Sequence, residues 1–292
     1  MSGPVDPPVA LSIAGSDSGA GAGIQADLKS MGALGVFGTT AITAVTAQNT
    51  TAVVEVHFVP VDVVEAQIDA VLSDLAVGAV KTGMLGTPEV VEMVARRAAA
   101  GDLANLVVDP VMVASSGRSF LTNEGIAAYR EALLPEALIT TPNLWEAALL
   151  AGVDPAEFRD VDAMVDMARR IHKLGPSWVL VKGGHLPGVE PTDGEVPPDQ
   201  VADVLFDGDE VTVLNSPLVE TSNTHGTGCS MSSAIAAYLA HGADVATAVR
   251  AAKQYVHQAL IGGADWRLGA GHGPLNHLGW TGERPAGLET LR

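Results

Sequence analysis

Apolar positions along the chain follow two periods that take turns from end to end. Val9–Ala14 is a short apolar run of strand length, and it runs into the glycine-rich stretch Gly15–Gly23. Spacing of three and four then predicts a helix over Ile24–Leu34. Val36–Ala47, rich in Thr, Val and Ile, reads as a strand, and Val53–Val59 alternates as a half-exposed one. Helical spacing recurs over Val61–Leu75, Pro88–Ala99, Asn123–Leu134, Asn143–Leu150 and Asp160–Leu174. Between these lie extended segments at Ala79–Thr82, Leu106–Val113, Leu138–Thr140 and Trp178–Lys182. Leu106–Val113 is apolar almost throughout, as a parallel strand covered on both faces should be. Pro187–Asp199 is rich in Pro, Gly and acid without periodicity and reads as a loop. Val201–Phe206 and Glu210–Leu214, joined through Asp207-Gly208-Asp209, predict a hairpin. Two more helices follow, Gly228–Ala240 and Asp244–Gly262, and a glycine-rich tail starts at Ala264. Such alternation predicts a three-layer α/β/α sandwich around a mostly parallel sheet. With no internal repeat and no long linker, residues 1–292 are expected to form one domain, with its core over about 9–263 and the tail over 264–292.

Composition narrows the function more than the fold. The 292 residues are 47% hydrophobic and 17% charged, which is ample material for a core and excludes wholesale disorder. The net charge of −18 disfavours nucleic acid and anionic lipid as partners, and 4% aromatic residues give little for base stacking. Cys229 is the single cysteine, so neither an intrachain disulfide nor a cysteine-built zinc site can form. Met1–Pro8 shows no basic and apolar leader pattern, and no uncharged stretch reaches membrane-spanning length. A cytoplasmic protein acting on small molecules is expected.

The strongest local signal is Asn223-Thr224-His225-Gly226-Thr227-Gly228-Cys229-Ser230, placed just before a small-residue helix. Gly226 and Gly228 let backbone N–H groups converge, and the helix start adds its positive end, which together suit a phosphate in transfer. Cys229 at that terminus is expected to have its pKa lowered below about 8.5, so that it could take the proton of an attacking hydroxyl. A helix cap beside a small buried cysteine is the plainer reading of the same residues. Lys182, ahead of Gly183-Gly184-His185, ends a strand, where open α/β sheets place ligands. Asp109 within a buried strand is costly unless paired or metal-bound; with Glu146 it could hold Mg²⁺ through water on phosphates. The alternative is an N-cap at Asn143 with a solvated Glu146. Gly15–Gly23 is neither a dinucleotide fingerprint nor a Walker loop, and a sharp turn accounts for it. Asp27 could cap its helix or reach a ligand, Gln48 could read a heteroaromatic edge, and Met84 suits core or pocket wall. His57, His172, His241 and His257 lack metal-ligand pairing and are expected at the surface.

In series, Ser12–Asp17, Ala22–Lys29, Ala47–Thr50, Lys81–Leu85, Asp109–Met112, Thr141–Glu146, Lys182–His185 and Asn223–Cys229 resemble the hydroxymethylpyrimidine/phosphomethylpyrimidine kinase family of thiamin biosynthesis. That family lies within the ribokinase-like superfamily, and the resemblance runs from Leu11 to about Gly262. It implies the ribokinase-like fold and an ATP- and Mg²⁺-dependent kinase, usually a homodimer, that phosphorylates 4-amino-5-hydroxymethyl-2-methylpyrimidine and then its monophosphate. It also implies roles. Gln48 would bond the aminopyrimidine, with Gly15, Asp27, Met84 and Val111 around it. Cys229 would be the base, with Gly226, Thr227 and Gly228 cradling the phosphoryl group. Lys182, Asn143, Thr224 and His225 would hold ATP, while Asp109 and Glu146 would organise the metal. The nearest alternative within the resemblance is a Cys-type pyridoxal or pyridoxine kinase; a catalytically idle binding protein on the same fold is a further one. Ala20 stands where a glycine is expected, Ser222 where a lysine is, and Ser230 where a threonine is common. Nothing after the core is long enough for a fused thiamin-phosphate synthase, so the stand-alone kinase is expected.

Overall fold

The computed structural model describes residues 6–112, 122–154, 160–184 and 199–281. In chain order the elements are β1 (Val9–Asp17), α1 (Gly23–Ala33), β2 (Phe37–Gln48), β3 (Val53–Phe58), α2 (Val61–Leu72) and β4 (Val77–Thr82). Next come α3 (Pro88–Ala99), β5 (Val107–Val108), α4 (Asn123–Ala128), β6 (Ile139–Thr140), α5 (Leu144–Ala151) and α6 (Val161–His172). The chain then forms β7 (Trp178–Lys182), β8 (Gln200–Phe206), β9 (Val211–Pro217), α7 (Thr227–Ala240) and α8 (Val245–Gly263). The nine strands form one sheet in the order β3-β2-β1-β4-β5-β6-β7-β8-β9. β2, β1, β4, β5, β6 and β7 run parallel, β3 is antiparallel to β2, and β8–β9 is the expected hairpin.

The strand pleat sorts the core into two layers. Val108, Val179, Val181, Val204 and Phe206 face α2 to α6, while Val107, Ile139, Leu180 and Leu205 face α7 and α8. Met31 of α1 packs with Ala10, Val36 and Ala237 on the α7 side. This is the three-layer α/β/α sandwich. α7 (TGCSMSSAIAAYLA) is built from small residues because it is enclosed by α1, α8 and the sheet: Ala234, Ile235, Ala236 and Ala237 are fully buried.

Three sequence boundaries need correction. β1 does not stop at Ala14: its register shifts at Gly15, and Ser16 and Asp17 then pair with Val45 and Thr46. A bulge lets polar residues continue a strand that composition alone ends early. Of the predicted strand Leu106–Val113, the described residues 106–112 are strand only at Val107–Val108, because Pro110 has no N–H for the ladder. The predicted helix Asn123–Leu134 is α4 followed by a π-helical turn at Tyr129–Leu133 and a 3₁₀ turn at Leu134–Glu136, where Pro135 breaks the α pattern. His185 and all of the predicted 187–199 loop but Asp199 lie outside the described residues.

Candidate active site

Every strand of the parallel set ends at one cleft of about 700 Å³. β1 supplies Gly15 and Asp17, β2 Gln48, and β4 Lys81 with Gly83 and Met84 just beyond. β5 leads to Asp109 and Val111, β6 to Asn143 and, through α5, Trp145, Glu146 and Leu149, and β7 to Lys182. The chain leaves β1 towards β2 on one side, and β4 lies on the other, so the crevice opens at a topological switch point. Residues 224–229, ahead of and within the first turn of α7, close the opposite wall.

That loop is held from two directions. Gly226 is the N-cap of α7 in the left-handed region (φ 88), and among the described residues no side chain caps this helix, leaving its first turn to face the cleft. His225 Nε2 lies 3.0 Å from Asp17 Oδ2 and 3.3 Å from Gln48 Nε2, tying the loop to the first glycine-rich turn. Asp17 also accepts from the N–H groups of Gly19, Gly21 and Ala22 at 2.8–3.1 Å. Burial alone would raise its carboxyl, but His225 and the backbone donors hold it below the usual range. From behind, Asn223 Nδ2 donates to the carbonyls of Gly263, Ala264 and Trp266. Its neighbours are strapped too: His225 N donates to Gly273 O, His272 Nδ1 to Ser222 O, and Ser230 Oγ meets His277 Nε2 at 2.8 Å. The described part of the glycine-rich tail, residues 264–281, is therefore a strap over the loop.

Two lysines face the cleft, each tied to a carboxylate. Lys182 Nζ donates to Asp109 Oδ1 at 3.0 Å, and Asp109 also accepts from Thr141 and Ser232 hydroxyls, both at 3.1 Å. Lys81 Nζ donates to both oxygens of Asp27 at 3.0 Å, and Asp27 accepts from Ser12 and Ser233 hydroxyls at 2.6 Å. Burial opposes the charge on Asp109, yet Lys182 and Lys81 keep it below the usual carboxylate range. Glu146 is pushed the other way, to about 7, because burial and the neighbouring Asp109 outweigh Lys182.

Burial also pushes the Cys229 thiol up to about 11. Lys81 and an N–H from Gly23 pull it down, but Asp27 and Asp109 oppose them. The expectation of a lowered thiol pKa is thus corrected: desolvation of the sulfur anion outweighs the help of the helix start. Alkylation of this sole cysteine by iodoacetamide should accordingly keep accelerating past pH 9.5, and a plateau below pH 8 would contradict it.

Of the residues singled out in sequence, Gly15, Gln48, Met84, Asp109, Val111, Asn143, Glu146, Lys182, Thr224, His225, Gly226, Thr227, Gly228 and Cys229 all line this cleft. Asp27 does not. It is fully buried under the floor, committed to Lys81 and two serines. His225, expected beside ATP, reaches Asp17 at the end of β1 and Gln48 at the end of β2. Asn143 does cap α5, in a capping box with Glu146, but Glu146 is buried rather than solvated. Asn49, beside Gln48, is spent on its own turn, accepting from Thr51 and Ala52. Ala20 adopts φ 59 where glycine would be at ease, and Ser230 keeps the bond to Gly226 O that a threonine hydroxyl would make. Sequence reading missed Asp17, Lys81, Trp145 and His272. A lysine closing the apolar run Val77–Val80 was a legible signal; His272, set among glycines, gave none.

The family model for phosphomethylpyrimidine kinase matches residues 17–276. The chain belongs to the phosphomethylpyrimidine kinase family. It is 49% identical over 273 residues to a hydroxymethylpyrimidine/phosphomethylpyrimidine kinase of Rhizobium meliloti, covering 92% of this chain and 97% of that one. Among solved structures, phosphomethylpyrimidine kinase from Clostridium difficile is 38% identical with a TM-score of 0.72, over 86% of this chain and 99% of the other. Pyridoxal kinase from Staphylococcus aureus in complex with AMP-PCP and pyridoxal is 34% identical with a TM-score of 0.82, over 94% and 95%. The family's fold is therefore the ribokinase-like sandwich described above, and its members are kinases. Among the described residues, no helix is long and apolar enough to cross a membrane.

Proposed function

We propose that the protein transfers the γ-phosphoryl group of ATP to the hydroxymethyl oxygen of 4-amino-5-hydroxymethyl-2-methylpyrimidine, then phosphorylates the monophosphate to the pyrophosphate. The observation that carries this reading is the placement of Cys229 in the first turn of α7, inside one cleft that has Gln48 and Met84 on one side and Lys182 with two carboxylates on the other. Family membership supports the pyrimidine, and the likeness to a pyridoxal kinase complexed with a nucleotide analogue supports ATP.

In this reading the pyrimidine lies between Gln48, Gly15, Met84 and Val111. Gln48 offers an amide donor and acceptor to the ring edge, and Met84 a polarisable wall. The Gly226–Cys229 backbone meets the phosphoryl group as charge spreads over its oxygens, and Lys182 adds a fixed cation from the other side. Cys229 takes the hydroxyl proton. Asp109 and Glu146 suit Mg²⁺ held through water and phosphate oxygens: both offer hard oxygen donors, and among the described residues no third His, Cys, Asp or Glu joins them in a metal cage. Bound there, the ion would neutralise charge on the phosphates. Glu146 must lose its proton to take part, so metal affinity should rise through neutral pH. A single-domain, cytoplasmic homodimer belongs to the same proposal. The exposed apolar residues Phe37, Val45, Val54 and Phe58 on β2 and the edge strand β3 support the dimer.

ADP release with Mg-ATP, measured in parallel on the pyrimidine alcohol, its monophosphate and pyridoxal, tests the reading. Turnover of both pyrimidines with little on pyridoxal is expected. Turnover of pyridoxal alone would move the substrate assignment to the vitamin B6 aldehyde, and silence on all three would overturn the kinase. Gln48→Ala should raise KM for the pyrimidine several-fold, consistent with about 0.5–1.5 kcal/mol per hydrogen bond. An effect confined to KM for ATP would refute Gln48 as the pyrimidine contact.

A further inference from the structure

One buried cation has no part in the assignments above. The Lys81 side chain is fully buried among protein atoms, yet it contributes to the cleft wall beside Cys229. An ammonium in such a place is costly unless it is paired, and both Asp27 oxygens supply the pairing. Asp27 is in turn fixed by Ser233, four residues after Cys229 and so on the same face of α7 one turn along. Ser232, three residues after Cys229, repeats the device with Asp109 and Lys182. Two serine–aspartate–lysine chains thus start one turn beyond the cysteine and return a lysine to the cleft. Lys182 already has a role beside the nucleotide. Lys81 does not.

The groups facing Cys229 come from every element around it. Lys81 arrives from β4, Lys182 from β7, Asp27 from α1 and Asp109 from just past β5, and the Gly23 N–H at the start of α1 adds to the lysines' pull on the sulfur. The lysines favour a sulfur anion and the carboxylates oppose it.

We propose that Lys81 is a positioning residue for phosphoryl transfer, its ammonium fixed by Asp27 and Ser233 where it favours the anionic sulfur of Cys229 that accepts the substrate's proton. This rests on Cys229 as the base. In the step, the hydroxyl oxygen bonds to the γ-phosphorus, the bond from that phosphorus to the ADP oxygen breaks with its electron pair left on ADP, and the hydroxyl proton moves to Sγ to give the thiol.

The full-length protein, with its single cysteine, allows a test by signs. Iodoacetamide alkylation at pH 8 should be about tenfold slower in Lys81→Met and about tenfold faster in Asp27→Asn, a tenfold change being one pH unit of thiol ionisation. A merely structural pair would loosen the site in both variants and move both rates the same way; that result, or no change in either, overturns the proposal. Should a single variant fail to fold, the double variant leaves no unpaired ion. Its rate should lie within threefold of the original protein, and a tenfold departure would overturn the idea. In turnover, Lys81→Met should lower kcat at least tenfold at pH 7.5 and regain it as pH rises, with KM for the pyrimidine within twofold. An unchanged kcat in Cys229→Ala strikes the base reading, whereas same-direction alkylation shifts strike Lys81 with that reading intact.

Discussion

Replacing Cys229 by alanine is expected to lower kcat by roughly 10²- to 10⁴-fold, the usual span for loss of a placed proton acceptor. KM for the pyrimidine should change little, because the contacts proposed for the ring, Gln48, Met84 and Val111, lie elsewhere in the cleft. The residual rate should stay well above that in water, since the backbone of Gly226–Gly228, Lys182 and the carboxylates remain and phosphoryl transfer depends mostly on positioning and charge. The thiol's position near 11 sharpens this expectation. At neutral pH the thiol holds its proton, so kcat should climb with pH on the alkaline side for as long as the fold endures. The alanine variant should lose that climb. Steady-state kinetics from pH 6.5 to 9.5 on both proteins decide the matter, and parallel profiles would exclude the sulfur as acceptor.

Gly226→Ala should be nearly as damaging by a different route. Gly226 sits at φ 88, and a Cβ there would collide with the carbonyl oxygen of Gly21 and crowd Ala22. The backbone strain costs about 1–2 kcal/mol by itself, but the collision is the larger problem. Both partners are backbone and neither loop can yield without breaking the Asp17–His225 link. A fall of at least 100-fold in kcat/KM is expected, comparable to removing one preorganised donor from an anion hole. Gly242 provides the control. It has the same φ of 88, but nothing lies within 4 Å of a Cβ built on it. Gly242→Ala should therefore lower Tm by a few degrees and leave kcat unchanged. Equal kinetic damage from both substitutions would mean that strain alone, and not the meeting of the two loops, sets the activity.

Fold class and cleft were legible in the chain because both rest on local patterns. Strand-to-helix alternation is enough to read the layered sheet, and glycines ahead of a small-residue helix mark the loop that walls the cleft. Errors arose where a distant partner decides the outcome. Ser16 and Asp17 look like loop, yet β2 offers them a ladder. Asp27 is shown to serve Lys81 only when α1, β4 and α7 are brought together. The plainer alternative for Glu146, a solvated first-turn acid, fails because the cleft buries it against Asp109 and Lys182. His272 and Asn276 follow no period, since their work is to bond single carbonyls rather than to cover a face.

The strap across Asn223 has a consequence for how the protein comes into being. β1, an interior strand of the sheet, is made before the other strands, whereas the carbonyls and ring that fix the loop ahead of α7 belong to Gly263, Ala264, Trp266, Gly273 and His277. A nascent chain stopped after α7 would hold Cys229 and its serines without the contacts that seat them. Competence therefore arrives late in synthesis, when residues 263–277 close over a site whose floor was laid much earlier.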